Sequence, residues 1–507
     1  MPGEKKLATG KKSILDKDLK NVDALQSAKH GEGPLALNLV IAGLFLVGIL
    51  AATVLGILPA NGSYWIIVAA VIGGYMAMNI GANDVANTMG PAVGSKALTV
   101  IQALLIAAIF NVFGAIVAGG DVVSTVSKGI IDISAIGNTE TFIWAMIAAL
   151  LAAAFWVNLA TAVGAPVSTT HAIVGGVMGA GIAAAGLIAV NWPVMGRIAA
   201  SWVISPVMGG VLAATILFAI KRLILYKDDM VEASRTWVPV LVALMASIFS
   251  VYLVMKGLKR IWKADAVYLA FQSLAVFAFA WWLLRPAIRK ASEGIANRRG
   301  AIAQLFKIPL IFATALLAFA HGANDVSNAV GPLAGVISAV QSGGIQAKAA
   351  APLWILAMGG IGIGIGIYLF GLKLMKAVGK TITKLNIIRA YAVALAAATT
   401  VIIASALGLP VSSTHVAIGG VFGVGFLREF LTNRTNMVAA SAAATGDAIE
   451  MKDEKPLSRK KLKKAKKRKL VRRGYFLTII AAWIITVPGA AFLGGMFFFM
   501  LRGMMMP

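Results

Sequence analysis

The sequence predicts an all-α polytopic membrane protein of about twelve transmembrane segments, arranged as two inverted-topology repeats with discontinuous, re-entrant helices. Three observations lead there. Long apolar runs recur along the chain, two polar motifs each occur twice in the same order, and the basic loops set the two copies in opposite orientations.

Hydrophobic residues make up 59% of the chain and charged residues 13%, whereas a water-soluble domain carries about 25% charged residues. Runs near spanning length fall at 35–58, 64–80, 98–119, 142–164, 203–220, 238–254, 267–284, 353–372, 390–409 and 476–500. A shorter run, 308–320, leads straight into a polar motif. In hydrocarbon every backbone polar group needs an internal partner, so only helices or closed barrels span. Barrel strands alternate apolar and polar residues; these continuous runs do not, and helices are expected.

Six regions follow: a cytoplasmic N-terminal tail (1–34), a first membrane repeat (35–220), a connecting section with two transmembrane helices (221–300), a second repeat (301–430), a basic cytoplasmic loop (431–474) and a C-terminal transmembrane helix (475–507). The absence of cysteine excludes disulfides and thiolate metal sites. Residues 451–474 hold 13 Lys and Arg against two acids, a net +11 of the chain's +26. That run lies between two apolar segments. The positive-inside rule therefore makes it a cytoplasmic loop with some attraction to anionic membrane lipids, and no nucleic-acid partner is expected.

The repeat is read from two motifs. Gly81–Gly94 (GANDVANTMGPAVG) and 322–335 (GANDVSNAVGPLAG) agree at nine of fourteen positions. Residues 165–181 (APVSTTHAIVGGVMGAG) and 409–425 (LPVSSTHVAIGGVFGVG) agree at ten of seventeen. Gly81 to Pro166 is 85 residues and Gly322 to Pro410 is 88. Basic loops at Lys221, Arg222 and Lys227, at Arg285 to Arg299, and at Lys373 to Lys384 read as cytoplasmic, and the acidic loop 120–140 as external. Threading the chain through these constraints runs the first GAND segment inward and the second outward. The loop with Lys256, Lys259, Arg260 and Lys263 falls outside in this scheme, against the charge rule. Inverted repeats place a binding site near the midplane, where helix termini are aimed at it.

Asn83, Asp84 and Asn87, repeated as Asn324, Asp325 and Asn328, are candidate cation ligands. An intramembrane Asp costs at least ~3 kcal/mol and marks function or a buried partner. The flanking Gly81, Gly90, Pro91, Gly322, Gly331 and Pro332 are expected to loosen the helix and free carbonyl oxygens, which hard cations favour. In the second motif Pro166 and Pro410 break an incoming helix and Ser168 and Ser412 cap a new one. The resulting N–H groups and the hydroxyls of Ser168, Thr169, Thr170, Ser412, Ser413 and Thr414 make an anion site. His171 and His415 follow at one offset and are read as orienting the hydroxyl turn. Two aspartates beside a divalent anion place about four negative charges in low dielectric, so cations or protons must bind with it.

At these residues the chain resembles the inorganic phosphate transporter (PiT) family, whose members carry two GANDVANA-like signatures and a P-x-S-[ST]-T-H segment in each half. The resemblance covers roughly 60–220 and 300–430 plus the last helix. It implies cation-coupled phosphate symport by alternating access, not an enzyme, with no resident cofactor and sodium ions as coupling ions. It also implies that Asp84, Asn87, Asp325 and Asn328 hold cations and contact phosphate. Proton-coupled bacterial members tend to carry a GFHD variant, so Asn83 favours sodium over protons. A bacterial inner (plasma) membrane location and a homodimer accompany this reading. Thr88 and Ser327 depart from the signature's alanines. A sulfate or other oxyanion carrier of the same family is the alternative. An anion channel ranks below both.

Overall fold

The computed structural model describes residues 35–60, 62–257, 262, 264–342, 351–381, 385–445 and 473–505. They form α1 (Leu35–Val54), α2 (Tyr64–Gly94), α3 (Val100–Ala118), α4 (Gly120–Ser124), α5 (Thr139–Ala162), α6 (Thr169–Ala185), α7 (Trp192–Ile220), α8 (Met230–Gly257) and α9 (Ala266–Ala291). The second half continues with α10 (Arg299–Leu305), α11 (Lys307–Ser342), α12 (Leu353–Thr381), α13 (Ile387–Ala406), α14 (Ser413–Thr445) and α15 (Arg473–Met505). The chain divides into two units at 45/46, and every side-chain contact given below belongs to the second, 46–507. The tail 1–34 and residues 446–472 of the basic loop lie outside the described residues. Residues 431–445, read as loop, continue α14.

Eleven of the described helices are long and apolar enough to cross a membrane. Their outer faces are apolar as well: on α9, Val267 is 80% exposed, Phe271 72% and Trp282 67%. Water would penalise such a surface and lipid covers it. The chain is an integral membrane protein.

Two breaks interrupt the helical run: α5 gives way to α6, and α13 to α14, each across a short non-helical tip. Gly176 of α6 packs on the Ala149 backbone of α5 and Gly181 beside Ile131, so the limbs run antiparallel. Gly420 packs on Val393 in the matching pair. With 17 residues, α6 is shorter than the roughly 20 needed to span. The re-entrant tips, at 163–168 and 407–412, are the predicted discontinuities.

The GAND segments do not unwind. Both α2 and α11 continue as helix through Pro91 and Pro332. Proline frees only the carbonyl four residues back, here Asn87 and Asn328, and in packed membrane helices neighbours absorb the distortion.

Glycines set how closely these helices approach. An added Cβ at Gly81 would lie 2.0 Å from the Ile363 carbonyl oxygen of α12, and one at Gly322 would lie 2.1 Å from that of Asn111 in α3. Likewise Gly366 of α12 meets the Met78 carbonyl and Gly114 of α3 meets that of Phe319. Met78 and Phe319 occupy equivalent repeat positions, as do Gly81 and Gly322. The first GAND helix therefore packs on the second repeat's α12, and the second GAND helix on the first repeat's α3. Gly73 of α2 lies against Ala329 of α11 while Asp84 lies by His321, so the two GAND helices are antiparallel. The inverted repeat is thus built from exchanged partners. Lys256, of the stretch that defied the charge rule, lies in the last turn of α8 and bonds Asp121 of α4, in the stretch read from sequence as external, and the Ala406 carbonyl. A local acid and a helix C-terminus account for its position. Lys259, Arg260 and Lys263 lie outside the described residues.

Candidate functional site

Each re-entrant tip is fastened by the asparagine of its own repeat. Asn83 donates to Thr161 Oγ1 (2.9 Å) and the Ala165 carbonyl (3.3 Å) and accepts from Val167 N–H (3.2 Å). Asn324 does the same with Ser405 Oγ (2.9 Å), the Leu409 carbonyl (3.2 Å) and Val411 N–H (3.3 Å). An amide offers two donors and an acceptor on one rigid plane, which suits it to hold an irregular loop in a water-poor interior. The geometry gives Asn83 and Asn324 this clamping contact besides the cation contact expected of them.

The clamp sets the new helix starts beside the carboxylates. Ser168 accepts from His171 N–H (3.1 Å) and Ser412 from His415 N–H (3.3 Å), the N-caps expected from the sequence. Thr169 donates to Asp84 Oδ2 and Ser413 to Asp325 Oδ2, both at 2.9 Å. The halves then interlock. Thr414 donates to Asp84 Oδ1 at 3.0 Å and accepts from Asn87 Nδ2 at 2.8 Å. Asn328 donates to Thr170 Oγ1 (3.1 Å) and stands 3.4 Å from Thr169 Oγ1; Thr170 donates to the Val411 carbonyl (3.1 Å). All twelve residues proposed from sequence (Asn83, Asp84, Asn87, Ser168, Thr169, Thr170, Asn324, Asp325, Asn328, Ser412, Ser413 and Thr414) fall in this one cluster and are buried.

Three oxygens in the cluster have no hydrogen-bond donor: Asn87 Oδ1, Asp325 Oδ1 and Asn328 Oδ1. An unsatisfied buried acceptor costs about 1–3 kcal/mol. Two of the three come from one turn of α11, and unsatisfied oxygens of this kind suit a cation.

Sequence reasoning missed His321. Its Nε2 lies 2.9 Å from Asp325 Oδ2 and 3.5 Å from Asp84 Oδ2, and its Nδ1 bonds Asn111 Oδ1. The signal was present: the residue before the first GAND motif is Ile80, so His321 breaks the internal symmetry. Asn111, alone in an apolar run, gave no such cue. His171 and His415 stand together as a pair. Their rings face each other at 4.5 Å, with Trp202 at 3.8 Å from His171.

The sequence pattern of the phosphate transporter family matches residues 80–494 of the chain. The chain belongs to the phosphate transporter family. A family relative from Helicobacter pylori strain 26695, provisionally named a phosphate permease, is 43% identical, with 95% of this chain and 98% of the relative covered. One from Pyrococcus abyssi with the same provisional name is 39% identical over 72% of this chain and 89% of its own length. The fold is shared with a solved sodium-dependent phosphate transporter at TM-score 0.76 and 33% identity, covering 87% of this chain and all of that one. In the second motif Ser168 and Ser412 cap their helices by accepting from the backbone N–H groups of His171 and His415.

Proposed function

We propose that this chain is a secondary active transporter that carries inorganic phosphate with sodium by alternating access, in a bacterial inner (plasma) membrane. The observation that carries the reading is the meeting of two mirror-related helix starts at two buried aspartates whose neighbourhood holds three unsatisfied oxygens. The helix starts bring N–H groups and hydroxyls to an oxyanion. The carboxylates, in low dielectric, make an anion alone unfavourable. Sodium at Asp84, Asn87, Asp325 and Asn328 offsets that repulsion, so cation and anion bind together or not at all. Ser168, Thr169, Thr170, Ser412, Ser413 and Thr414 hold the phosphate with Asp84 and Asp325. Phosphate can donate a hydrogen bond to a carboxylate whereas sulfate at neutral pH cannot, which favours phosphate over other oxyanions. The 33% identity to a sodium-dependent phosphate transporter supports sodium rather than protons.

The test is uptake of labelled phosphate into proteoliposomes under imposed sodium or proton gradients. Saturable uptake that requires inward sodium is expected, with sulfate a poor competitor. Uptake at equal rate with and without both gradients would remove coupling from the reading.

A further inference from the structure

We propose that Asp84, Asp325 and His321 form a binding site for a divalent transition-metal ion such as Zn²⁺ or Co²⁺, and that this ion excludes sodium from the centre of the transporter. The two carboxylates lie on opposite repeats and the imidazole bridges them. One ligand atom from each lies within 4.8 Å of the other two. First-row divalent ions with bonds of about 2.1 Å set neighbouring ligands about 3.0–3.4 Å apart. The two imidazole-to-carboxylate distances, 2.9 and 3.5 Å, bracket that interval.

The hydrogen bonds around His321 define its chemistry. Asn111 Nδ2 donates to the Ala107 carbonyl at 2.7 Å, which fixes the amide and turns Oδ1 to His321. An acceptor at Nδ1 requires that nitrogen to carry hydrogen. When the ring carries that hydrogen alone, Nε2 presents a lone pair where the Asp325 and Asp84 oxygens converge, each of which also accepts one hydroxyl. A positive species relieves that convergence. The outer bond from Nδ1–H to an amide oxygen is also the arrangement that orients metal-ligating histidines. Asp325 Oδ1, 1% exposed at residue level and without a donor, adds a further lone pair.

The ligand types select the ion. Imidazole suits zinc, copper, iron and nickel, whereas hard cations prefer oxygen. The mirror position makes the same point. Ile80 and Ile363 stand where His321 and Asn111 stand, so only one side of the pseudo-two-fold offers a nitrogen. One divalent ion also neutralises two carboxylates alone, where sodium needs two ions.

Co²⁺ titration of the purified full-length protein in sodium-free, choline-containing buffer tests the site. One equivalent should raise a visible absorption band, and added sodium should weaken it. His321→Gln should weaken Co²⁺ binding at least tenfold. His321→Cys should restore the band with a new sulfur-to-metal transition, assignable because the chain has no other cysteine. The double variant His171→Gln, His415→Gln should keep the band. Absence of a stoichiometric band in the wild type overturns the proposal, as does full-strength binding in His321→Gln. The exclusion of sodium rests on the transport reading above and has its own arm. Zn²⁺ should inhibit sodium-driven phosphate uptake in competition with sodium, and uptake indifferent to saturating Zn²⁺ overturns it. Failure of uptake in metal-free buffer would count against sodium–phosphate symport, and the cobalt spectrum would still decide the metal site.

Discussion

Thr414 donates to Asp84 at 3.0 Å although 330 positions separate them in the chain. The second repeat's helix start thus completes the first repeat's carboxylate. Thr414→Val would strand Asp84 Oδ1 and Asn87 Nδ2 together. Each stranded group costs about 1–3 kcal/mol, so phosphate uptake should fall at least tenfold, and Thr414→Ser should recover most of it. Initial rates in proteoliposomes check this; equal uptake by the valine and serine variants would detach the hydroxyl from function.

Asp84 takes two hydroxyl donors, Thr169 and Thr414, and Asp325 takes one, Ser413. Hydrogen bonds to a charged group contribute about 1.5–3 kcal/mol each. Asp84→Asn should therefore reduce kcat/KM for phosphate more than Asp325→Asn, and both should reduce it more than tenfold. Wild-type rates in both variants would take the carboxylates out of the transport site.

Helix approach gives a prediction about stability. Gly366→Ala would set a Cβ 1.9 Å from the Met78 carbonyl, whereas Gly90 has nothing within 4 Å. Overpacking costs about 1–3 kcal/mol or more. Thermal unfolding in detergent should fall by several degrees for Gly366→Ala and hold or rise for Gly90→Ala. Equal midpoints for the two variants would contradict the packing.

Topology is open to chemistry because the chain has no cysteine. Ser134→Cys and Glu293→Cys, both at exposed positions, should react with a membrane-impermeant maleimide from opposite sides. In intact cells Ser134→Cys is the one labelled. Labelling of both from outside would overturn the inverted arrangement.

Much of this architecture was legible in the sequence, and the limits have physical causes. The N-caps at Ser168 and Ser412 are local, within one turn, and a proline followed by Ser and Thr announces them. The candidate site rested on two motifs repeated at near-equal spacing, which brought all twelve residues to one place. Pro91 and Pro332 misled, because the rule that proline breaks helices comes from water, where no neighbouring helix supports the bent segment. The clamp formed by Asn83 on Thr161 and Val167 was not readable, since no spacing says which apolar run an amide reaches. Nor was Thr414 on Asp84, which depends on how the halves face each other. His321 needed only a comparison of the residues before the two motifs.

The exchange of helix partners between the repeats has a consequence for autonomy. Gly81 finds its surface on α12 and Gly322 finds its own on α3. Neither half carries the wall against which its own signature helix is shaped. A half expressed alone should stay incompletely packed, while the two halves supplied as separate polypeptides should reassemble.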